Sequence, residues 1–253
     1  MSFLEPGDPD PVIAVNRGAA SPFLLVCDHA GRATPGRLGS LGLPPERFDE
    51  HIAWDLGAAD LAHRLAETLD ACLILQAYSR LVVDCNRTPG GPQSIVAVSD
   101  GVEIPGNRGL TPAQTRARIA AIHAPYHQVI GEEIDARAAR GLQTLLFCVH
   151  SFTPTWAGEP RPWHVGVLHG GKSPICRALL ELLGAEPDLV VGDNQPYAMD
   201  GTDYTAPYHA WRRGLDVIEI ELRQDLLATP AGRQRFADLL SRLAPLALAS
   251  ATG

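Results

Sequence analysis

Several widespread functional motifs are missing from the 253-residue sequence. The five cysteines form no CxxC pair, which excludes a zinc ribbon and a thioredoxin-type redox motif. There is also no Walker loop, no GxGxxG loop and no GxSxG motif. Residues 170–173 (GGKS) resemble the end of a phosphate-binding loop, but Val165 stands where that motif requires its first glycine. These absences give no support to a nucleotide-binding or serine-hydrolase function.

Positive charge is scarce, and almost all of it comes from arginine. Lys172 is the only lysine, and the net charge is −8. Because nucleic-acid binders usually carry a basic face, we expect no nucleic-acid partner, although a local arginine cluster could still bind a small anion. No apolar run approaches the length of a membrane span, and the N-terminal segment does not resemble a signal peptide. We expect a cytoplasmic protein with reduced cysteines and no membrane partner; the sequence predicts no oligomeric state.

Short apolar runs alternate with segments of helical periodicity. Strands are predicted at residues 22–27, 72–76, 81–85, 142–149, 164–168 and 216–222. Helices are predicted at residues 55–70, 111–140 with a break near Pro125, 173–183 and 229–243. Residues 1–20 are expected to be irregular, and residues 88–110 to form a long loop of the kind that is often functional. The alternation predicts a single α/β domain over residues 1–253, with helices on both faces of a mostly parallel or mixed central sheet.

Two histidines directly follow predicted strands. His29 and His150 are expected at the same edge of the sheet, because the carboxyl ends of parallel strands gather there. A neutral imidazole is the commonest protein ligand of transition metals, and a catalytic zinc takes three protein ligands and leaves one position open. Asp55 is the first choice for the third ligand, with Asp28 and His51 as alternatives. Each histidine could instead only cap or hydrogen-bond a loop.

Two glutamates share one face of the predicted strand 216–222. Residues two apart in a strand point the same way, so Glu219 and Glu221 lie on one side of an otherwise apolar strand. Burying them without a partner is costly, and a metal or an arginine would supply one. Glu221 is nearer the carboxyl end and is the candidate general base. The alternative is an edge strand whose two glutamates face solvent.

Further polar residues are candidates for binding a substrate. Arg80 and Arg87 flank the predicted strand 81–85, and their planar guanidinium groups match a carboxylate or a developing oxyanion. Asn86 adds a second type of donor for the same oxygens. The candidates outside this segment are Ser151, Asn194 and Tyr197 of the turn-rich loop 192–197, and His209. Surface salt bridges, a plain turn and a surface histidine are the corresponding structural alternatives.

In this order, these clusters resemble the N-formylglutamate amidohydrolase family. The segments that carry the resemblance are CDHAG (27–31), HIAWDLGAADLA (51–62), YSRLVVDCNR (78–87), VHSFTP (149–154), GDNQPY (192–197) and EIELRQDLL (219–227). The resemblance implies an α/β fold of the phosphorylase/hydrolase-like type, related to zinc carboxypeptidases and aspartoacylases. In those relatives a histidine that matches His150 binds metal, and a glutamate that matches Glu221 is catalytic. Their His-x-x-Glu motif is not kept, since Arg32 stands three residues after His29.

The resemblance also implies a reaction and a cofactor. It implies a divalent metal, expected to be Zn²⁺, on His29, Asp55 and His150, with Glu221 taking the proton of the attacking water. Arg80 would stabilise the oxyanion, and Asn86 with Arg87 would hold the substrate carboxylate. The expected substrate is a small anionic N-acyl amino acid, first of all N-formylglutamate. The alternatives are a related enzyme for another N-acyl or N-formyl amino acid, and a non-catalytic binder of small carboxylates.

Overall fold

Strands of three to eight residues, most of them apolar, form the sheet in the computed structural model, which describes residues 2–171, 173–199 and 201–252. The strands are β1 (Val12–Val15), β2 (Phe23–Cys27), β3 (Cys72–Gln76), β4 (Val98–Ser99), β5 (Val102–Glu103), β6 (Leu145–Phe152), β7 (Thr155–Trp156), β8 (Glu159–Pro160), β9 (Val165–Leu168), β10 (Val191–Asp193) and β11 (Asp216–Arg223). The helices are α1 (Ala58–Thr68), α2 (Pro112–Arg118), α3 (Ala124–Ala139), α4 (Pro174–Gly184), α5 (Thr205–His209) and α6 (Pro230–Thr252).

Seven strands make one mixed sheet, in the order β1-β3-β2-β6-β11-β9-β10. Neighbours from β3 to β11 are parallel, whereas β1 runs antiparallel to β3 and β9 antiparallel to β11. β4 pairs with β5, and β7 with β8, in two separate hairpins whose strands are each two residues long. The predicted α/β fold with a mixed central sheet is therefore confirmed.

Helices pack on both faces of the sheet, as predicted. One face packs against α1, α4 and α6 through side chains such as Leu25, Phe147 and Ile220. The other face carries Val26 and Cys148. It packs against α3 and against the buried segment 77–85. Adjacent residues of a strand alternate between these layers and residues two apart share one, so Glu219 and Glu221 lie on the second face together with Cys148. Among the described residues, no helix combines the length and apolar character needed to cross a bilayer.

Three sequence-based assignments need correction. Residues 81–85 form turns and not a strand; they are apolar because the segment is buried against the second face of the sheet. Residues 12–15, expected to be irregular, form β1, a partly exposed edge strand too short to give a clear pattern. β6 continues to Phe152, so His150 lies within the strand and not after it.

The break predicted near Pro125 is confirmed and has a specific form. α2 begins with a capping box, in which the Thr111 side chain accepts a hydrogen bond from the Gln114 amide. A π-helical stretch, Ile119–His123, follows, and α3 resumes with Pro125 in its first turn. Pro125 has no amide to donate to the preceding turn, and the π-helical stretch lies where that hydrogen bond is missing.

Candidate active site

The parallel strands β2 and β6 bring His29 and His150 to one edge of the sheet. His29 follows β2 directly, and His150 lies near the end of its neighbour β6. A Cβ built on Gly31 would overlap the carbonyl oxygen of Ala77, so a glycine is required for this loop to pass so close to the segment after β3. The backbone amide of Asp55 donates a 3.0 Å hydrogen bond to the carbonyl of His29. The turn before α1 is thereby fixed beside the loop after β2.

His29, Asp55 and His150 converge in a buried cluster. The Nδ1 atoms of His29 and His150 lie 3.4 Å and 3.0 Å from Asp55 Oδ2, and the two ring centroids are 5.1 Å apart. One potential ligand atom from each of the three residues lies within 4.8 Å of the others. Of the alternatives for the third position, Asp28 lies on the opposite side of the His150 ring, 3.4 Å from Nε2. His51 pairs instead with Asp100, 3.2 Å away.

Each histidine has a second carboxylate behind it. His29 Nε2 forms a 2.8 Å hydrogen bond with Asp84 Oδ1, whereas His150 Nε2 lies 3.4 Å from Asp28 Oδ2, within ion-pair distance but without a hydrogen bond. This leaves both Nδ1 atoms facing Asp55. A carboxylate on the far nitrogen fixes the orientation of an imidazole and raises its basicity, which is the usual arrangement behind a metal-binding histidine. Asp84 was not among the sequence-based candidates, although it stands between Arg80 and Asn86 in the same motif.

The electrostatics of the cluster favour charged forms despite its burial. Burial would lower the pKa of His150, but Asp28 and Asp55 raise it well above its ordinary value. Burial would likewise raise the pKa of Asp84, but Arg80 and His29 hold it well below its usual range. The pKa of Asp55 is also lowered, against burial, by the two histidines. The metal-free cluster therefore favours protonated imidazoles beside an ionised Asp55.

Glu219 and Glu221 line the same cavity from β11. In the parallel register, Glu221 lies beside His150 and Glu219 beside Cys148, one step deeper in the sheet. Burial raises the pKa of each to about 8. One carboxylate oxygen of each is buried without a hydrogen bond to any described residue. The expectation of an exposed edge strand is therefore excluded, and both groups can accept or hold a proton near neutral pH.

Arg80 joins the cluster through two carboxylates. Its Nε and Nη2 atoms donate to Asp84 Oδ2 at 3.1 Å and 2.7 Å, and Nη1 is 3.4 Å from Asp55 Oδ1. The backbone amide of Arg80 donates to Ala53, in the segment that leads to Asp55. The guanidinium group lines the cavity beside the histidine pair.

Asn86 and Arg87 meet a carboxylate of the protein itself. Asp203 Oδ1 lies 3.2 Å from Asn86 Nδ2 and 3.3 Å from Arg87 Nη1. Asn86 Oδ1 accepts the backbone amides of Tyr204 and Thr205, where α5 begins. Both ends of the Asn86 amide are thus engaged in holding α5, and Asn86 also lines the cavity, so its contact with substrate stays a prediction. Arg87 still lines the cavity and shares its charge with Asp203.

The remaining substrate-binding candidates separate into two groups. Tyr197 and Ser151 line the cavity, where Ser151 also donates through Oγ to Leu56 and through its amide to Asp55. Asn194 and His209 are not among the described residues of the lining. The side-chain oxygen of Asn194 accepts the amide of His169 within its own loop. His209 is buried under α3, so neither residue is assigned to substrate binding.

A pair of buried histidines supports the segment of Asn86 and Arg87. His127 Nε2 donates to the carbonyl of Cys85 at 2.8 Å, so its Nδ1 accepts from His209 Nε2 at 2.9 Å. Burial lowers the pKa of His127 to about 4 and that of His209 to about 3, and both rings are neutral at physiological pH. Their position explains why His209 resembled a site residue: it contacts the site through His127 and the backbone of residue 85.

The cluster opens into a cavity of about 680 Å³. Its lining includes the histidine pair, Asp55 and the glutamates, together with Trp156 of β7, residues 196–198 and residues 202–203. Five residues of the loop 88–110 line it: Gln93, Val96, Val98, Ser99 and Asp100. The expected functional character of that loop is consistent with this position.

Comparison with known proteins identifies relatives of the chain. The family model described as N-formylglutamate amidohydrolase matches residues 21–228. A gene product of Agrobacterium tumefaciens of known structure is 36% identical, with a TM-score of 0.96 over 99% of this chain and 100% of that chain. The N-formylglutamate amidohydrolase from Ralstonia eutropha is 19% identical and shares the fold, with a TM-score of 0.72 over 96% of this chain and 98% of that chain.

No protein of curated function matches the sequence at a significant level. The family model nevertheless covers most of the chain, including both histidines and both glutamates of the cavity. Its match also removes the non-catalytic binder from consideration, because the family is one of hydrolases that act on amide bonds. The chain belongs to the N-formylglutamate amidohydrolase family.

Proposed function

We propose that the chain is a metal-dependent amidohydrolase of N-acyl amino acids. The observation that carries this proposal is the buried cluster of His29, Asp55 and His150, with its potential ligand atoms within 4.8 Å of one another and a carboxylate behind each imidazole. N-formylglutamate, which would give formate and glutamate, is the first substrate to assay because the Ralstonia eutropha relative bears its name. Another N-acyl or N-formyl amino acid is the alternative substrate.

The chemistry of the donor set fits a divalent cation, with Zn²⁺ as the first candidate. Two imidazole nitrogens and one carboxylate are the ligands of many catalytic zinc sites. Without a cation, protons on the imidazoles would have to balance the buried negative charge of Asp55. The raised pKa of His150 agrees with this. When bound there, a divalent cation supplies Lewis-acid chemistry, lowering the pKa of a water molecule and polarising an amide carbonyl.

The residues around the cluster supply the proton transfers. Glu221 lies beside His150, and burial raises its pKa to about 8, so it can take a proton from the attacking water. The same group then returns that proton to the nitrogen of the leaving amine. The carboxylate oxygen of Glu221 that bonds to no described residue is available for this exchange.

The two cavity arginines have separate roles in this mechanism. Arg80 is fixed by Asp84 and Asp55 next to the cluster, where its guanidinium group can stabilise negative charge that develops on the carbonyl oxygen. Arg87 lies farther along the cavity and binds the α-carboxylate of the substrate, sharing its donors between that group and Asp203. Tyr197 and Ser151 line the space between them. These contacts hold the scissile amide in one orientation.

Metal content and product release together test the proposal. The purified protein is expected to contain about one divalent metal per chain, and a chelator is expected to stop formate release from N-formylglutamate or from another member of an N-acyl amino acid panel. Replacing His150 by Ala should remove the metal, whereas His63→Ala, at an exposed histidine of α1, should not. Full activity of the metal-free protein, or stoichiometric metal in the His150 variant, would contradict the proposal.

A further inference from the structure

The mouth of the cavity exposes an unusual amount of apolar surface. Val98, Trp156 and Tyr197 are 53%, 46% and 43% exposed, and all three line this cavity. They are three of the seven large apolar side chains that are exposed among the described residues. Apolar side chains concentrated in one cleft, and not scattered over the surface, indicate a surface that binds a ligand.

Two of these side chains are held in place before any ligand binds. The guanidinium carbon of Arg161 lies 5.2 Å from the ring centroid of Trp156 and 4.8 Å from that of Tyr197. Arg161 also donates hydrogen bonds to the Tyr197 hydroxyl at 3.0 Å and to Thr153 at 3.2 Å, and it is only 9% exposed. Trp156 and Tyr197, here named the aromatic wall, therefore form a rigid surface, which reduces the entropy lost on binding.

The described lining offers no further arginine or lysine for a second substrate carboxylate, and its partly exposed His51 pairs with Asp100. The lining contains two arginines, Arg80 and Arg87, and six carboxylates. Arg80 is paired with Asp84 and Arg87 with Asp203, and the proposed reaction uses the first for the oxyanion and the second for the α-carboxylate. The γ-carboxylate of N-formylglutamate would then face acidic groups and the aromatic wall. A dianionic substrate is disfavoured there, because like charges repel and a buried charge without a partner is costly.

The size of the cavity agrees with a larger substrate. Its volume of about 680 Å³ lies within the range of roughly 300–1,000 Å³ found for pockets that hold drug-sized ligands. Formyl and glutamyl groups would leave the space in front of the aromatic wall to water. A flat apolar group would displace that water and cover both rings.

We propose that the aromatic wall is a subsite for an apolar, aromatic-sized side chain, and that the chain prefers N-acyl amino acids of this class over N-formylglutamate. This rests on the proposed function, since it concerns the substrate of the same reaction. Val98 lies on the rim and completes the subsite from the hairpin β4–β5.

Two substrates with the same acyl group test the preference. The metal-loaded protein is assayed for formate release from N-formyl-L-phenylalanine and from N-formyl-L-glutamate, and the two kcat/KM values are compared. The ratio is expected to favour the phenylalanine compound at least tenfold, in line with the discrimination that apolar pockets achieve. Calorimetry on the metal-free protein should show the same order for binding of the products phenylalanine and glutamate.

Variants locate the preference at the aromatic wall. In Trp156→Ala the ratio of kcat/KM values should fall about tenfold, because the flat contact surface is lost. Trp211→Ala is the matched control: Trp211 is 43% exposed but is not among the described residues of the lining, and the ratio should stay within twofold. Val98→Lys is a second probe that does not disturb the core, since Val98 is more than half exposed. It should lower the ratio, because it removes apolar surface and offers a positive charge to the γ-carboxylate of N-formylglutamate.

The outcomes distinguish this inference from the function on which it rests. Hydrolysis of N-formylglutamate at least as fast as that of N-formylphenylalanine would overturn the inference and leave the proposed function intact. An unchanged ratio in both the Trp156 and Val98 variants would also overturn it. No hydrolysis of either compound by the metal-loaded protein would reject the reaction, and with it the subsite.

Discussion

Glu219 and Glu221 have the same chemistry but different neighbours. Both are buried and both have a pKa raised to about 8, yet only Glu221 lies beside His150 in the strand register. Glu221→Gln should lower kcat at least 100-fold with the metal content unchanged, because the proton acceptor is lost while the cluster is not. Glu219→Gln should lower kcat less than tenfold. Steady-state kinetics and metal analysis of both variants would decide, and near-normal turnover of the Glu221 variant would remove it from the mechanism.

Asp84 tests whether the carboxylates behind the histidines matter. It holds His29 Nε2 at 2.8 Å and also binds Arg80, and neither contact uses a proposed metal-ligand atom. Asp84→Asn should weaken metal affinity about 10–100-fold, the usual effect of removing such a partner. Asp100→Asn is the matched control, since Asp100 lines the same cavity but pairs with His51. Chelator competition measures both, and equal affinity in the two variants would contradict this role for Asp84.

At the level of single residues, sequence patterns identified those that carry chemistry better than those that support them. His29, Asp55 and His150 were proposed as a cluster from strand ends and a helix start, and the fold brings them together. Asp84 and Asp203 were not found, because a carboxylate that orients another side chain has no spacing of its own in the sequence. His209 is not among the described residues of the lining and contacts His127 instead; a buried polar ring cannot be distinguished from a site residue in the sequence without its partners.

The loop 88–110 depends on one buried side chain of α2. Arg118 donates to the carbonyls of Val82 and Gly106 and to the Asn107 side chain, and burial lowers its pKa to about 10. Arg118→Met should lower the free energy of unfolding by about 3 kcal/mol, because buried carbonyls lose their donors. Arg118→Lys should recover little of it, since an ammonium group cannot form the same fork.

Arg116→Met provides the comparison for Arg118, because Arg116 is exposed on the same helix. Its free energy of unfolding should stay within about 0.5 kcal/mol of the parent protein in urea titrations. If the Arg118 and Arg116 variants were equally stable, the loop would have to be held by contacts other than those of the guanidinium group.

The elements that were predicted correctly are those in which the hydrophobic pattern and the local residues at the ends indicate the same boundaries. The capping box at Thr111, the break near Pro125 and the strand 72–76 were each marked by local chemistry. Residues 81–85 have the composition of a strand but are excluded from the sheet, because their apolar side chains fill the second core while Asp84 joins the histidine cluster. Whether an apolar segment hydrogen-bonds in a sheet or packs on it is settled by tertiary contacts.

For the whole molecule, the buried glutamates make stability depend on pH. Their folded pKa values of about 8 lie above the ordinary value of 4.5, so the folded state binds protons more tightly than the unfolded state between these limits. The free energy of unfolding of the metal-free protein should therefore fall between about pH 6.5 and pH 8. Below pH 6.5 the lowered pKa values of His127 and His209 oppose this trend, because these neutral rings take up protons on unfolding. Each glutamate contributes at most about 1.4 kcal/mol per pH unit. The lowered pKa values of Asp28 and Asp84 act only at more acidic pH.

Glu219→Gln should flatten this pH profile, since one of the two titrating groups is removed. Glu46→Gln, at an exposed glutamate outside the cavity lining, should leave the profile as it is. Urea unfolding at several pH values measures both. A stability that rises from pH 6.5 to pH 8 in the metal-free parent protein would show that these glutamates are ionised in the folded state.

The shape of the cavity depends on Gly166, which is not among the described residues of its lining. It lies beside Glu221 in β9, and a Cβ on it would overlap the carbonyl oxygen of Gln195, two residues before Tyr197. One methyl group at Gly166 would therefore lift the segment that carries Tyr197 away from the sheet and widen the entrance. Mutations at this position in β9 would therefore change which substrates the cavity admits, without altering any catalytic group.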